Sequence, residues 1–263
     1  MRTHRILALV TAAAASVALA ACSSGGGDGS GLDAITESGT IVIGTEGTYR
    51  PFSFHEGGSG ELTGYDVEIA QAVAEKLGVE AQFEETQWDA IFAGLEAGRF
   101  AMIANQVSIS PDREESYEFS APYTVSPGVI VVRSGDTSIR SFDDLAGKTT
   151  AQSLTSNWYG LAQEAGANVE AVEGWAQAVD LLLQGRVDAT INDKLTYLDY
   201  LNDEPDAAIE VALETDDPSR SAFAFAKGNT ELRDAVDEAL SELRAEGTLA
   251  EISEKYFGED VSQ

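Results

Sequence analysis

The feature that most constrains this chain is an α/β unit repeated at a fixed spacing of 87 residues. Trp88 pairs with Trp175, Leu95 with Leu182, Gly98 with Gly185, Arg99 with Arg186 and Asn105 with Asn192. Each copy reads in one order: amphipathic helix, glycine stop, arginine, short apolar strand, asparagine, and a further polar residue. That last residue is Gln106 in the first copy and Asp193 in the second. Helical periodicity ended by glycine and followed by a short apolar run is the pattern of an αβ unit. Two copies imply two lobes of similar build.

The sequence around the repeat extends the alternation. Residues 40–44 read as a strand. Val67, Ala70, Val73, Ala74 and Leu77 follow helical spacing, with Asp66 as a plausible cap and Gly78 as the stop. Strands are predicted at 79–83 and 101–104 around a helix at 88–97. In the second half, strands at 128–132, 148–151, 169–172, 187–191 and 222–226 alternate with helices at 157–164, 175–183 and 195–201. Two helices, 231–245 and 249–256, close the chain. Such alternation argues for parallel sheets covered by helices on both faces. Ligands of open parallel sheets sit beyond the carboxyl ends of the strands. Gln106 and Asp193 stand at those ends, so a site is expected between the lobes.

The N-terminus predicts export. Arg2, His4 and Arg5 precede an apolar run, 6–20, that is shorter than the roughly 20 residues of a membrane span. It ends in Leu19-Ala20-Ala21-Cys22, small residues before a cysteine. This resembles the bacterial lipobox, which implies a signal peptide at 1–21 and a diacylglycerol on Cys22. Residues 22–35, rich in Gly and Ser, are expected to tether the body to the membrane face.

Cys22 is the only cysteine, and His55 the only histidine outside the signal. A lipidated Cys22 leaves no disulfide, no cysteine nucleophile and no thiolate metal site. One histidine argues against a zinc centre or a His-dependent hydrolase. No cofactor is called for. The formal charge of −29, with the acids spread along the chain, argues against nucleic acid as a partner.

Several side chains suit a small zwitterion. Arg113 follows a Pro turn, and its planar fork suits a carboxylate; a surface pair with Asp112 or Glu114 is the alternative. Asp193 can accept an ammonium or cap the following helix. Thr155-Ser156-Asn157 opens a helix, whose free N–H groups bind a carboxylate as readily as they take a cap. Tyr49 and Trp88 border strand ends and can wall a pocket; Phe52 and Phe54 suit a core equally well.

Taken together, the chain resembles the polar amino acid family of bacterial extracytoplasmic solute-binding proteins. The marks run from Gly44-Thr45-Glu46-Gly47-Thr48-Tyr49-Arg50-Pro51-Phe52 through Leu62-Thr63-Gly64-Tyr65-Asp66, Gly98-Arg99, Arg113 and Phe119-Ser120-Ala121-Pro122-Tyr123 to Gly247-Thr248-Leu249. The resemblance implies an α/β fold of two Rossmann-like lobes joined by two crossover strands, the type II periplasmic-binding arrangement. It puts lobe 1 at 36–127 plus 217–258 and lobe 2 at 128–216. It implies a ligand carboxylate on Arg113, with Ser108 and the helix start Thr155–Asn157, an ammonium on Asp193, and walls from Tyr49 and Trp88.

Glu46 stands where the family commonly has Asp and bears on the ligand side chain; Gln106 is a second polar partner there. Ala101 replaces an Asp that Asp188 retains in the other copy, a matter of local capping. Glu-Gly-Thr-Tyr, Gln87-Trp88-Asp89 and Asn-Gln-Val-Ser-Ile-Ser are closest to the cystine-binding branch. The resemblance implies a monomer outside the cytoplasm that hands an amino acid to an ABC permease. Its rivals are a cyclohexadienyl dehydratase-like enzyme on the same scaffold and a sensor domain serving a separate receptor.

Overall fold

A computed structural model describes residues 31–263. The expected signal peptide at 1–21 and the expected lipidation site Cys22 lie outside the described residues. In chain order the strands are β1 Thr40–Thr45, β2 Thr48–Tyr49, β3 Ser53–His55, β4 Leu62–Thr63, β5 Glu80–Glu85, β6 Met102–Ser108, β7 Tyr117–Phe119, β8 Thr124–Ser126, β9 Gly128–Arg133, β10 Thr149–Gln152, β11 Asn168–Ala171, β12 Ala189–Asp193, β13 Ile209–Glu214 and β14 Ser219–Ala226. The helices are α1 Leu32–Ser38, α2 Tyr65–Leu77, α3 Trp88–Glu96, α4 Pro111–Ser116, α5 Asn157–Glu164, α6 Trp175–Leu183, α7 Lys194–Asp203, α8 Thr230–Glu246 and α9 Thr248–Phe257.

The repeat becomes a correspondence between two sheets. One is ordered β5-β1-β6-β14-β7, with β8 also on β14; the other is β11-β10-β12-β9-β13. The strand after each repeated Gly-Arg, β6 or β12, holds the same place in its sheet. Neither sheet is wholly parallel, as the alternation alone suggested. β14 lies antiparallel to β6, and β9 antiparallel to β12. These two strands are where the chain enters a sheet from the opposite lobe, so they arrive running the other way.

Helices cover both faces of each sheet. In the first lobe α2, α8 and α9 pack a core around Ile41, Ile43, Ile69, Phe223 and Phe225, while α3 packs Ile91 and Leu95 against Phe100 and Ile103 on the reverse face. In the second, α6 and α7 enclose Val129, Val131, Val179 and Leu182, and α5 covers Ile130, Val132 and Ile191. Among the described residues no helix is long and apolar enough to cross a membrane.

The two passages between lobes run side by side. Gly128 N–H donates to Thr215 Oγ1 at 2.9 Å, and Thr215 N–H returns a bond to the Gly128 carbonyl at 2.8 Å. A side chain on Gly128 would collide with the Trp158 ring, so glycine lets the crossover pass beneath that indole.

Three expectations need correction. The tether does not extend to 35: residues 32–35 already belong to α1, because Ile35 is buried and Leu32 packs against the same core. The first lobe does not end at 258, since Val261 and Ser262 are buried and the Val261 carbonyl accepts from Val125 N–H at 2.8 Å. Asp66 is not a cap. Gly64 holds the cap position of α2, at φ 131° and so close to the Phe52 carbonyl that a Cβ would clash, which places Asp66 inside the helix and fully buried.

Candidate functional site

A cavity of about 530 Å³ lies between the lobes. The repeat supplies its opposed walls. Trp88 opens α3 and Trp175 opens α6, and both line it; so do Asn105 and Asn192, at equivalent points of β6 and β12. Of the residues expected at the site, Glu46, Tyr49, Trp88, Gln106, Ser156 and Asn157 line the cavity, while Ser108, Arg113, Thr155 and Asp193 do not.

Those four stand just outside the cavity wall. Arg113 stacks over Trp88 and Phe92, 5.6 and 5.3 Å from their ring centroids. Its Nη1 donates to the Ser108 carbonyl at 2.9 Å and hydroxyl at 2.6 Å, and its Nη2 reaches the Thr155 carbonyl at 3.0 Å across the cleft. Burial lowers its pKa to about 10, which still leaves it charged at neutral pH. Among the described residues no carboxylate lies within ion-pair range of it, so the surface pair with Asp112 or Glu114 does not form. The Thr155 N–H and hydroxyl meet Asp89 Oδ1 instead, at 3.2 and 2.8 Å.

Asp193 ends β12 and caps α7. Its Oδ1 accepts from Leu195 N–H at 2.8 Å and from the Ser126 hydroxyl at 2.7 Å. Burial raises its pKa to about 6 despite those bonds. Gln106 does not end its strand: β6 runs on to Ser108, and Gln106 adopts φ 49°, where the register against β14 shifts. That kink turns its N–H and Nε2 onto the two oxygens of Asp66, both at 2.6 Å.

The cavity itself is acidic and only partly satisfied. Glu46, Glu85 and Glu173 line it, with no Lys, Arg or His among the lining residues. Glu46 is fixed by Asn105, whose Nδ2 donates to Glu46 Oε2 at 2.6 Å and whose Oδ1 accepts from Glu46 N–H at 2.8 Å. Burial outweighs those bonds and lifts the Glu46 pKa to about 7, with Asp89 and Glu173 adding repulsion. Four wall residues carry a buried polar atom with no partner among the described residues: Trp88 Nε1, Gln106 Oε1, Gln152 Nε2 and Trp175 Nε1. Such atoms are costly to leave unmatched.

Trp175, Asn192, Gln152, Glu85 and Glu173 were not singled out as site residues from sequence. The repeat held the signal for Trp175 and Asn192, as the counterparts of Trp88 and Asn105. Nothing local marks Glu85 or Glu173 among so many acids.

Further contacts bind the lobes across the cleft. Tyr49 donates its phenolic proton to Asn192 Oδ1 at 2.9 Å and accepts from the Thr196 hydroxyl at 3.1 Å. Arg50 Nε lies 3.4 Å from Asp199 and 3.2 Å from Asp203.

Two α/β lobes, two crossovers and a polar cavity between them define a solute-binding protein of the two-lobe type II class. The chain belongs to the bacterial extracellular solute-binding proteins, family 3, whose model matches residues 41–259. It is 48% identical to the L-cystine-binding protein TcyA of Bacillus subtilis, over 94% of each chain. Among solved structures it resembles the unliganded, open L-cystine solute receptor of Neisseria gonorrhoeae (45% identity, TM-score 0.60, 88% of this chain and 99% of that one). It also resembles an ancestral arginine-binding protein bound to arginine (35% identity, TM-score 0.78, 84% and 99%).

Proposed function

We propose that this protein captures L-cystine outside the cytoplasm and delivers it to the permease of an ABC importer. The observation that carries this reading is the interlobe cavity, walled by three indoles and edged with unmatched polar atoms, in a chain similar to cystine binders. A disulfide between two polar ends suits an apolar middle with polar rims. Arg113, charged and with no carboxylate partner among the described residues, takes one α-carboxylate with Ser108 and the helix start at Thr155–Asn157. Asp193 takes the neighbouring ammonium, and Tyr49, Trp88, Glu46 and Gln106 hold the rest. This requires the Arg113–Thr155 and Asp89–Thr155 contacts to rearrange as the ligand enters.

The protein acts as a binder, not an enzyme, and as a monomer without a cofactor. Cleavage before Cys22 and lipidation of its thiol hold it at the cell membrane, with the tether now ending before α1. Lobe 2 corresponds to 128–216, and the rest of the body to lobe 1.

Calorimetry on protein stripped of co-purified ligand tests the assignment. Saturable one-to-one binding of L-cystine, tighter than that of arginine, glutamine or histidine, is expected. Binding of any of these with cystine inert would reassign the ligand; turnover of prephenate or arogenate would overturn the binding-only role. Loss of membrane association in Cys22→Ser, with binding intact, is expected from the anchor.

A further inference from the structure

Gln106 is strained, buried and only half satisfied. At φ 49° it is the one non-glycine residue with positive φ among the described residues, and it is 9% exposed where it lines the cavity. Such a backbone persists only where its surroundings hold it. Asp66 holds it from beneath. Second in α2 and 0% exposed, Asp66 accepts from the Gln106 N–H on Oδ2 and from Gln106 Nε2 on Oδ1, both at 2.6 Å. Nε2 also donates to Thr124 Oγ1, at the start of β8, at 3.0 Å.

These partners fix which end of the amide is left over. An ionised carboxylate only accepts, so Nε2 and not Oε1 must face Asp66. Both Nε2 protons are then engaged, one by Asp66 and one by Thr124. Oε1 has no partner among the described residues. The other unmatched polar atoms on cavity-lining residues, Trp88 Nε1, Gln152 Nε2 and Trp175 Nε1, are all donors. An unmatched buried acceptor is costly, and a ligand N–H removes that cost. The charge of Asp193, on the opposite lobe, is felt at Asp66. Asp193 Oδ1 already accepts two bonds. An ammonium at its other oxygen therefore keeps N–H groups for a second acceptor.

We propose that Asp66 is a positioning residue for ligand recognition. By taking the backbone and side-chain N–H groups of Gln106, it turns the amide so that a neutral acceptor is left for a ligand ammonium. This rests on the reading of the protein as an amino acid binder, and it adds a buried residue that acts through another.

Asp66→Asn tests this with almost no change of shape. The remaining side-chain oxygen must still accept from the Gln106 N–H, so the new NH2 faces the Gln106 amide and turns Oε1 inward. Thr124 can donate to the turned oxygen. Nε2 then stands where Oε1 stood and offers the ammonium a donor. At pH 8, above the Asp66 pKa of about 7, calorimetry should read L-cystine binding about tenfold weaker or more in Asp66→Asn. Gln106→Met, which lacks the amide, should also weaken binding, and adding Asp66→Asn to it should change affinity by about twofold or less. Cooperative melting of each variant verifies folding. Native affinity in Asp66→Asn overturns the proposal; so does an equal loss with and without the amide, which marks a purely structural role. Heteronuclear NMR gives a second reading on native protein. The Gln106 side-chain NH2, identified by its absence in Gln106→Met, should keep both protons protected from exchange when cystine binds. A proton handed over to the ligand overturns the proposal. Cystine inert while L-arginine or L-glutamine binds overturns the cystine assignment alone, and the same pair of variants titrated with that amino acid then decides the role of Asp66.

Discussion

At the residue scale, buried carboxylates govern how this protein responds to pH. The Glu46 carboxyl is pushed from 4.5 up to about 7, and Asp66 and Asp193 shift upward to about 7 and 6, each chiefly by burial. A group whose native pKa exceeds its unfolded value binds more protons when folded, so stability falls as pH rises between the two values. For Glu46 the loss begins near 4.5 and is complete above about 7. Ligand-free protein should therefore melt at a higher temperature at pH 5.5 than at pH 8. Glu46→Gln should reduce that difference by on the order of 1 kcal/mol, after allowance for partial exposure. Calorimetric melts at both pH values check this; equal slopes in native and variant protein contradict it. Arg113→Ala should weaken amino acid binding by about a hundredfold, since a ligand carboxylate buried without its cation carries a large penalty. Titration by calorimetry reads that loss directly.

At the element scale, the strand β6 shows both what pattern reveals and what it conceals. Residues 101–104 read as a strand because they are apolar. Asn105, Gln106 and Ser108 are polar yet buried in the same strand, so its second half was not legible. Their polarity is matched inside: Asn105 by Thr45 and Glu46, Gln106 by Asp66, Ser108 by Arg113. The crossover β9 offers a sharper test. Gly128→Ala would drive a methyl into the Trp158 ring, which lines the cavity. A loss of about 1–3 kcal/mol in urea unfolding is expected, typical of overpacking, together with weaker ligand binding as the indole shifts. Native-like stability and affinity would mean that the hinge tolerates the methyl.

At the scale of the whole molecule, two lobes face one cavity and the chain passes twice between them, into β9 and into β14. Exposed cross-cleft pairs such as Arg50 with Asp199 and Asp203 contribute little each, so closure must draw on the ligand. Small-angle scattering should show a larger radius of gyration for stripped protein than for protein saturated with cystine. Identical profiles would rule out closure on binding.

The sequence by itself determined the α/β class and the doubled unit, and it singled out Glu46, Tyr49, Trp88, Gln106, Ser156 and Asn157 of the cavity wall. These follow from period, glycine stops and residue type, which are local properties. Tertiary structure decided which polar groups face the cavity and which turn on one another. Asp66 was legible as a helix cap but became the support beneath Gln106, and Arg113 was legible as a carboxylate grip but rests on Ser108 and Thr155. The acids that edge the cavity, Glu85 and Glu173, were indistinguishable from the surrounding acidic surface. A side chain's partner and its burial depend on segments far away in the chain, and no local pattern encodes that distance.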